Sequence, residues 1–248
     1  MSKINVNAVA PSATGTTLTL GTTGDSVTIP TGGTLKTDKI ADAGGNSIIS
    51  SDGSGGLTID SQMSGSLSLV SSQTFSGQAS VEFKASAITN FNTAYPIYWV
   101  KVINIIPSST GGTLRIGFSN DDGSSYTGFN KTTTFMRWGR SMDGTGIAPA
   151  VQNTFDLDNS SGDPYISTAD NIEADLSWSG DIWLWNFGSS TLYKHYSSRI
   201  IGQYGATTAV TMYDEWSSGV LKTTLDIDAF KLLSQSNITG TVNLYGLS

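Results

Sequence analysis

The sequence predicts an all-β protein built in two unequal parts. Glutamate occurs only three times in 248 residues, at Glu82, Glu173 and Glu215, against 28 glycines. Straight-chain helix formers are therefore scarce and turn and strand formers plentiful. Short segments of alternating apolar and polar residues recur between Gly-rich turns, which is the pattern of β-strands. All 24 aromatic residues (six Trp, nine Tyr, nine Phe) lie in residues 71–248 and none in residues 1–70. Aromatic side chains dominate core area, so the first segment cannot build an ordinary single-chain core, whereas the second has ample material for one.

Within residues 1–70 short apolar units recur: Leu18-Thr19-Leu20, Val27-Thr28-Ile29, Ile48-Ile49, Leu57-Thr58-Ile59 and Leu67-Ser68-Leu69. Their spacing is mostly nine or ten residues, with 35–40 filling the gap less regularly. Each reads as a strand of three to five residues followed by a Gly-rich turn. A flexible Ser/Thr/Gly linker shares this composition, but the recurrence of leucine and β-branched pairs favours order. Such ribbons become stable by stacking or by pairing with copies of themselves. The expectation is a shaft in which Leu18, Leu20, Val27, Ile29, Ile48, Leu57, Ile59, Leu67 and Leu69 turn toward a shared axis. Three-fold intertwining, a homotrimer, fits a narrow stripe of this kind.

Residues 71–248 are expected to form a jelly-roll-like antiparallel β-sandwich of about ten strands. Val81, Phe83 and Ala85 share one face of a strand; so do Leu114, Ile116 and Phe118, with Arg115 outward. Val242 and Leu244 oppose Asn243 and Tyr245. Residues 97–106 are apolar on both faces and read as a central strand. In residues 182–187, Trp183, Trp185 and Phe187 are expected on one side and Ile182 and Leu184 on the other.

The chain has no cysteine and a single histidine, His195. That excludes disulfide scaffolds, Cys-based metal centres, thiol nucleophiles and every two-His metal site. With 13 Lys and Arg against 20 Asp and Glu, the balance opposes a nucleic-acid binder. No apolar run reaches the roughly 20 residues that would insert in a membrane, and residues 1–10 lack the features of a secretory signal. No cofactor or metal is expected.

Candidate chemistry is sparse. Carboxylates occur in close pairs, Asp156 and Asp158, Glu173 and Asp175, Asp214 and Glu215, Asp226 and Asp228. Glycan-cleaving enzymes use two carboxyls, yet any half-exposed strand shows the same spacing, and no pair has an apolar context. Residues 156–163 gather oxygen ligands of the kind calcium favours but read better as a solvated turn, and His195 as a packing or surface residue. For binding, residues 134–146 hold Arg137, Trp138, Arg140 and Asp143 in a Gly-bearing segment. A Trp can stack on a sugar while Arg and Asp bond its hydroxyls, although Phe135 and Trp138 also suit a core. Trp183 and Trp185 read as core or inter-subunit packing, and Trp216 as a loop tip that nothing in the sequence places near Trp138.

Residues 7–35 (NAVAPSATGTTLTLGTTGDSVTIPTGGTL) and 40–49 (IADAGGNSII), then 69–73 (LVSSQ), 119–126 (SNDDGSSY) and 240–247 (GTVNLYGL) occur in this order. In that order they make the chain similar to tail fibre and related appendage proteins of marine bacteriophages. The resemblance implies an N-terminal attachment and shaft segment, residues 1–70, and a distal β-sandwich, residues 71–248. It further implies a homotrimer in the virion, assembled in the host cytoplasm, that contacts other virion proteins through its N-terminal segment. Its distal domain would bind a host-surface glycan or protein without catalysis. A purely structural head, collar or tail decoration has the same signature; a glycan depolymerase is the third reading.

Overall fold

The structure, a computed structural model, describes residue 37, Lys39–Ala41, Ser47–Ser51, Leu57–Ile59 and residues 67–247 apart from 89–90, 92–93, 110–111, 169–175 and 206–209. Of residues 47 and 57–59 it describes the backbone alone. The chain divides into two compact units, Met1–Met63 and Ser64–Ser248. Its described residues form strands, turns and one 3-10 turn at Asn153–Phe155.

In the first unit β1 (Lys39–Ala41), β2 (Ser47–Ser51) and β3 (Leu57–Ile59) make an antiparallel meander. Ile40, Ile49 and Ile59 are successive cross-strand partners. The short strands expected around Ile48 and Leu57–Ile59 are therefore present. Leu18, Leu20, Val27 and Ile29 lie outside the described residues.

Leu67-Ser68-Leu69 has a different place from the other repeats. It opens β4 (Leu67–Lys84), an 18-residue strand of the second unit. Leu67 and Leu69 pair with Leu247 and Tyr245 and remain 44% and 58% exposed.

The second unit is a ten-stranded antiparallel sheet that curls on itself. Its further strands are β5 (Ile97–Pro107), β6 (Leu114–Ser119), β7 (Lys131–Ser141), β8 (Gly146–Val151), β9 (Tyr165–Ser167), β10 (Trp178–Trp185), β11 (Lys194–Tyr204), β12 (Thr211–Leu221) and β13 (Ala229–Leu247). The order is β8-β7-β12-β11-β10-β5-β13-β6-β9, with β4 also on β13. The curl comes from β13. Its first five residues pair with β6, and after a register break between Leu233 and Ile238 the rest pairs with β5. Strands that change partners at such irregularities make the corners of sandwiches.

The inner face is the core. Phe83 stacks on Phe230 with ring centroids 4.8 Å apart, and Phe118 of β6 meets Phe187 and Tyr196 at 5.7 and 5.6 Å. Val81, Phe83, Leu114, Ile116, Phe118, Val242 and Leu244 are buried as their alternation requires, and β5 is central, between β10 and β13. Two asparagines at positive φ, Asn104 within β5 and Asn186 just past β10, change which way the following side chains face. At Asn104 (φ 50°) β5 bulges, so that Val102 and Ile105 both face inward. Opposite the bulge stands Gly240 (φ 156°), where a Cβ would lie 2.6 Å from the Ile105 side chain. At Asn186 (φ 65°) the chain turns Phe187 into the core, away from Trp183 and Trp185 whose side it was expected to share.

Candidate functional site: the outer face of the sheet

Every second residue of β5, β10, β11, β12 and β7 points away from the core. Five of the six tryptophans stand there; Trp178 alone is fully buried. Trp99 and Trp183 are cross-strand partners and stack at 5.6 Å and 12°. Tyr245 lies 5.2 Å from Trp99, and Trp185 6.5 Å from Trp183. Further along the face Trp138 stacks on Trp216 at 5.9 Å.

One construction holds each end of this array. Trp99 Nε1 donates to Asp181 Oδ1 (2.8 Å); Lys101 Nζ bonds the same oxygen (3.0 Å) and sits 5.2 Å from the Trp99 ring. Trp216 Nε1 donates to Asp214 Oδ1 (3.1 Å), while Arg199 grips both oxygens of Asp214 (3.0 and 2.7 Å) and covers the Trp216 ring at 5.2 Å. The bond to Asp214 holds the Arg199 pKa above its ordinary value. Lys101, Asp181, Arg199 and Trp216 occupy one cross-strand row, so charge alternates along it.

Beside the aromatic rows lies a row of small side chains, Ser197, Ser218 and Thr134, in register with Trp183. It forms a 510 Å³ trough lined by residues 132–134, 195–197 and 218–220 together with Trp185. A second depression of 490 Å³ flanks Lys101 and Asp181.

The four residues singled out in 134–146 do not converge. Residues 131–141 are a strand, and neighbours on a strand face opposite ways. Trp138 and the exposed Arg140 point outward. Arg137 points inward, donating to Thr168 Oγ1 (3.2 Å) and lying 4.8 Å from the Tyr213 ring. Asp143 sits in the following turn and accepts Thr145 N–H (2.8 Å). Trp216 is a mid-strand residue against Trp138 rather than a loop tip, and Trp183 and Trp185 are half-exposed on the outer face, not core.

Asp214 and Glu215 are likewise separated by the sheet. Asp214 serves the outer face, while Glu215 is fully buried and accepts from Ser167 Oγ, from Thr168 N–H (3.0 Å) and from Thr168 Oγ1 (2.5 Å). Burial raises its pKa, against the Ser167 and Thr168 bonds and the Arg137 charge. This carboxyl ties β12 to the end of β9 across the curl. Asp156 caps Phe135 N–H (2.6 Å). Asp163 turns inward, where burial raises its pKa, with Lys231, Lys131 and Arg115 opposing. Among the described residues no three His, Cys, Asp or Glu side chains gather closely enough to hold a metal ion.

Compared with known protein families, curated proteins and solved structures, the chain matches none of them.

Proposed function

We propose that this chain is a bacteriophage virion structural protein, a tail-fibre-like appendage that attaches the particle to its host through the outer face of the large sheet. The observation that carries the reading is the placement of five of six tryptophans on that face, with two of them hydrogen-bonded to carboxylates. Ordered aromatic rings flanked by polar groups are the chemistry of recognition surfaces. The order of sequence stretches resembling phage appendages supports the virion setting. In this reading the curled sheet serves as a jelly-roll-like knob. The first unit, Met1–Met63, forms the trimeric shaft and attaches to other virion proteins, and three linked knobs convert weak contacts into firm adsorption.

The test is adsorption of labelled full-length protein to host cells, with competition against phage infection. Binding with competition is the expected result; neither would leave a decoration protein. The apolar Met136, Met212 and Ile201, exposed on the same face, are the feature a decoration role would use, as contacts to another virion subunit. Light scattering tests the trimer separately, and a folded monomer would refute it.

A further inference from the structure

Resting on that reading of the outer face, we propose that the trough over β7, β12 and β11 is a sugar subsite and that it takes an uncharged glycan rather than an acidic one. Its geometry follows from register. The triplets 132–134, 218–220 and 195–197 lie side by side, and the backbone of their central residues makes the floor. Thr134, Ser218 and Ser197 rise from that floor, Trp185 borders it, and Trp216 stands one row further along β12. At 510 Å³ the trough has the size of ordinary ligand sites, about 300–1,000 Å³.

Two observations fix the class of occupant. First, among the described residues the hydroxyls of Thr134, Ser218 and Ser197 make no hydrogen bond, and all three side chains are at least partly exposed. An apolar partner would strip water from three hydroxyls and return nothing. A sugar returns hydroxyls at similar spacing and lays its C–H face on an indole. Secondly, no Lys, Arg, Asp or Glu lines the trough, and His195 is the one basic side chain among its lining residues. Of the cations one row away, Arg199 is already paired with Asp214, and Lys222, beyond Val220, donates to the Asn159 amide oxygen (2.9 Å). A carboxylated or sulfated sugar would lose hydration without meeting a lysine or arginine inside the trough.

The experiment uses the full chain and a bacterium to which the labelled protein adsorbs. Surface polysaccharide from that strain is split by anion exchange into neutral and acidic fractions, and each competes for adsorption. The neutral fraction is expected to compete. Trp185→Ala is expected to weaken this about tenfold, the scale of one lost ring contact. Ser218→Tyr, which fills the trough from an outward position, is expected to abolish it, with near-UV circular dichroism unchanged in both. Competition by the acidic fraction alone overturns the inference, as does competition by neither, or by the neutral fraction equally in both variants; all three leave the attachment surface standing. Failure to adsorb to any host would instead remove the attachment reading, and the subsite with it.

Discussion

Replacing Glu215 isolates the one carboxyl among the described residues that the fold buries completely. Glu215→Ala leaves Ser167 Oγ–H, Thr168 N–H and Thr168 Oγ1–H without their acceptor. Each buried orphan costs about 1–3 kcal/mol, so the loss is on the order of 4 kcal/mol, in line with removing one member of a buried charged network. Glu215→Gln is a different perturbation. The amide keeps the volume, offers an oxygen to Thr168 N–H, and its NH2 can donate to either hydroxyl. What it removes is the charge.

The sign of the pH effect follows from burial. The native pKa of Glu215 stands above its unfolded value near 4.5. Below 4.5 the carboxyl is protonated in both states and its contribution to stability is whole. As pH rises through the native pKa, ionisation is disfavoured in the fold and stability is lost, about 1.4 kcal/mol for each unit by which the pKa is raised. Glutamine does not titrate. The stability difference between Glu215→Gln and wild type should therefore move in favour of the variant as pH climbs from 4, then level off. Urea unfolding followed by tryptophan fluorescence between pH 4 and 8 measures it, since all other groups are common to both chains. A difference independent of pH, or one moving toward wild type, would refute the claim that burial outweighs the Ser167 and Thr168 bonds.

Other substitutions test the frame around the site. Gly180→Ala would set a Cβ 2.1 Å from the Arg199 carbonyl oxygen and 2.9 Å from Ile200 Cα, both backbone; β10 and β11 must part, and a loss of about 3 kcal/mol by urea titration is expected. Phe83→Ala removes the ring stacked on Phe230 and should cost about 3–5 kcal/mol in the same assay. Asp214→Asn should change stability by less than about 1 kcal/mol, because Arg199 is half-exposed, yet alter the Trp216 environment in near-UV circular dichroism. A chain beginning at residue 64 keeps the whole β4–β13 pairing and should unfold with the midpoint of the full-length second unit.

The inner half of the fold was legible because burial enforces alternation. Leu114, Ile116 and Phe118, or Val242 and Leu244, show their faces directly, and the two-sided apolar run at 97–106 marks the centre of the sheet. The outer half was not legible by the same rule. An aromatic at every second position looks like core whichever side it faces, which is why Trp183 and Trp185 read as packing. A signal was nevertheless present: Lys101 shares parity with Trp99, and Asp181 with Trp183 and Trp185, so those faces carry charge and cannot be core. Contacts between distant strands had no such signal. Trp138 meets Trp216 only through the register of β7 on β12, and Phe187 changes sides because Asn186 adopts positive φ. Leu67-Ser68-Leu69 resembled the earlier repeats because three residues look alike at the start of a long strand and in a short one.

The chemistry of the outer face also bears on what kind of contact it makes. Two tryptophans with bonded N–H groups, each under a cation and beside a second ring, are fixed before any ligand arrives. Fixed rings lose little side-chain entropy on binding. A dry interface with another protein would have to desolvate Lys101, Asp181 and Arg199 together, and burying ion pairs returns little of that cost. A sugar lying across the trough leaves both pairs at its margin in contact with water. Binding there should consequently depend weakly on salt, whereas association driven by the charged row would weaken steeply as ionic strength rises. Adsorption measured across 0.05–0.5 M NaCl, a range set to span Debye lengths of roughly 14 to 4 Å, separates the two: a steep fall would place the contact on Arg199 and Lys101 rather than on the hydroxyls of Ser197, Ser218 and Thr134.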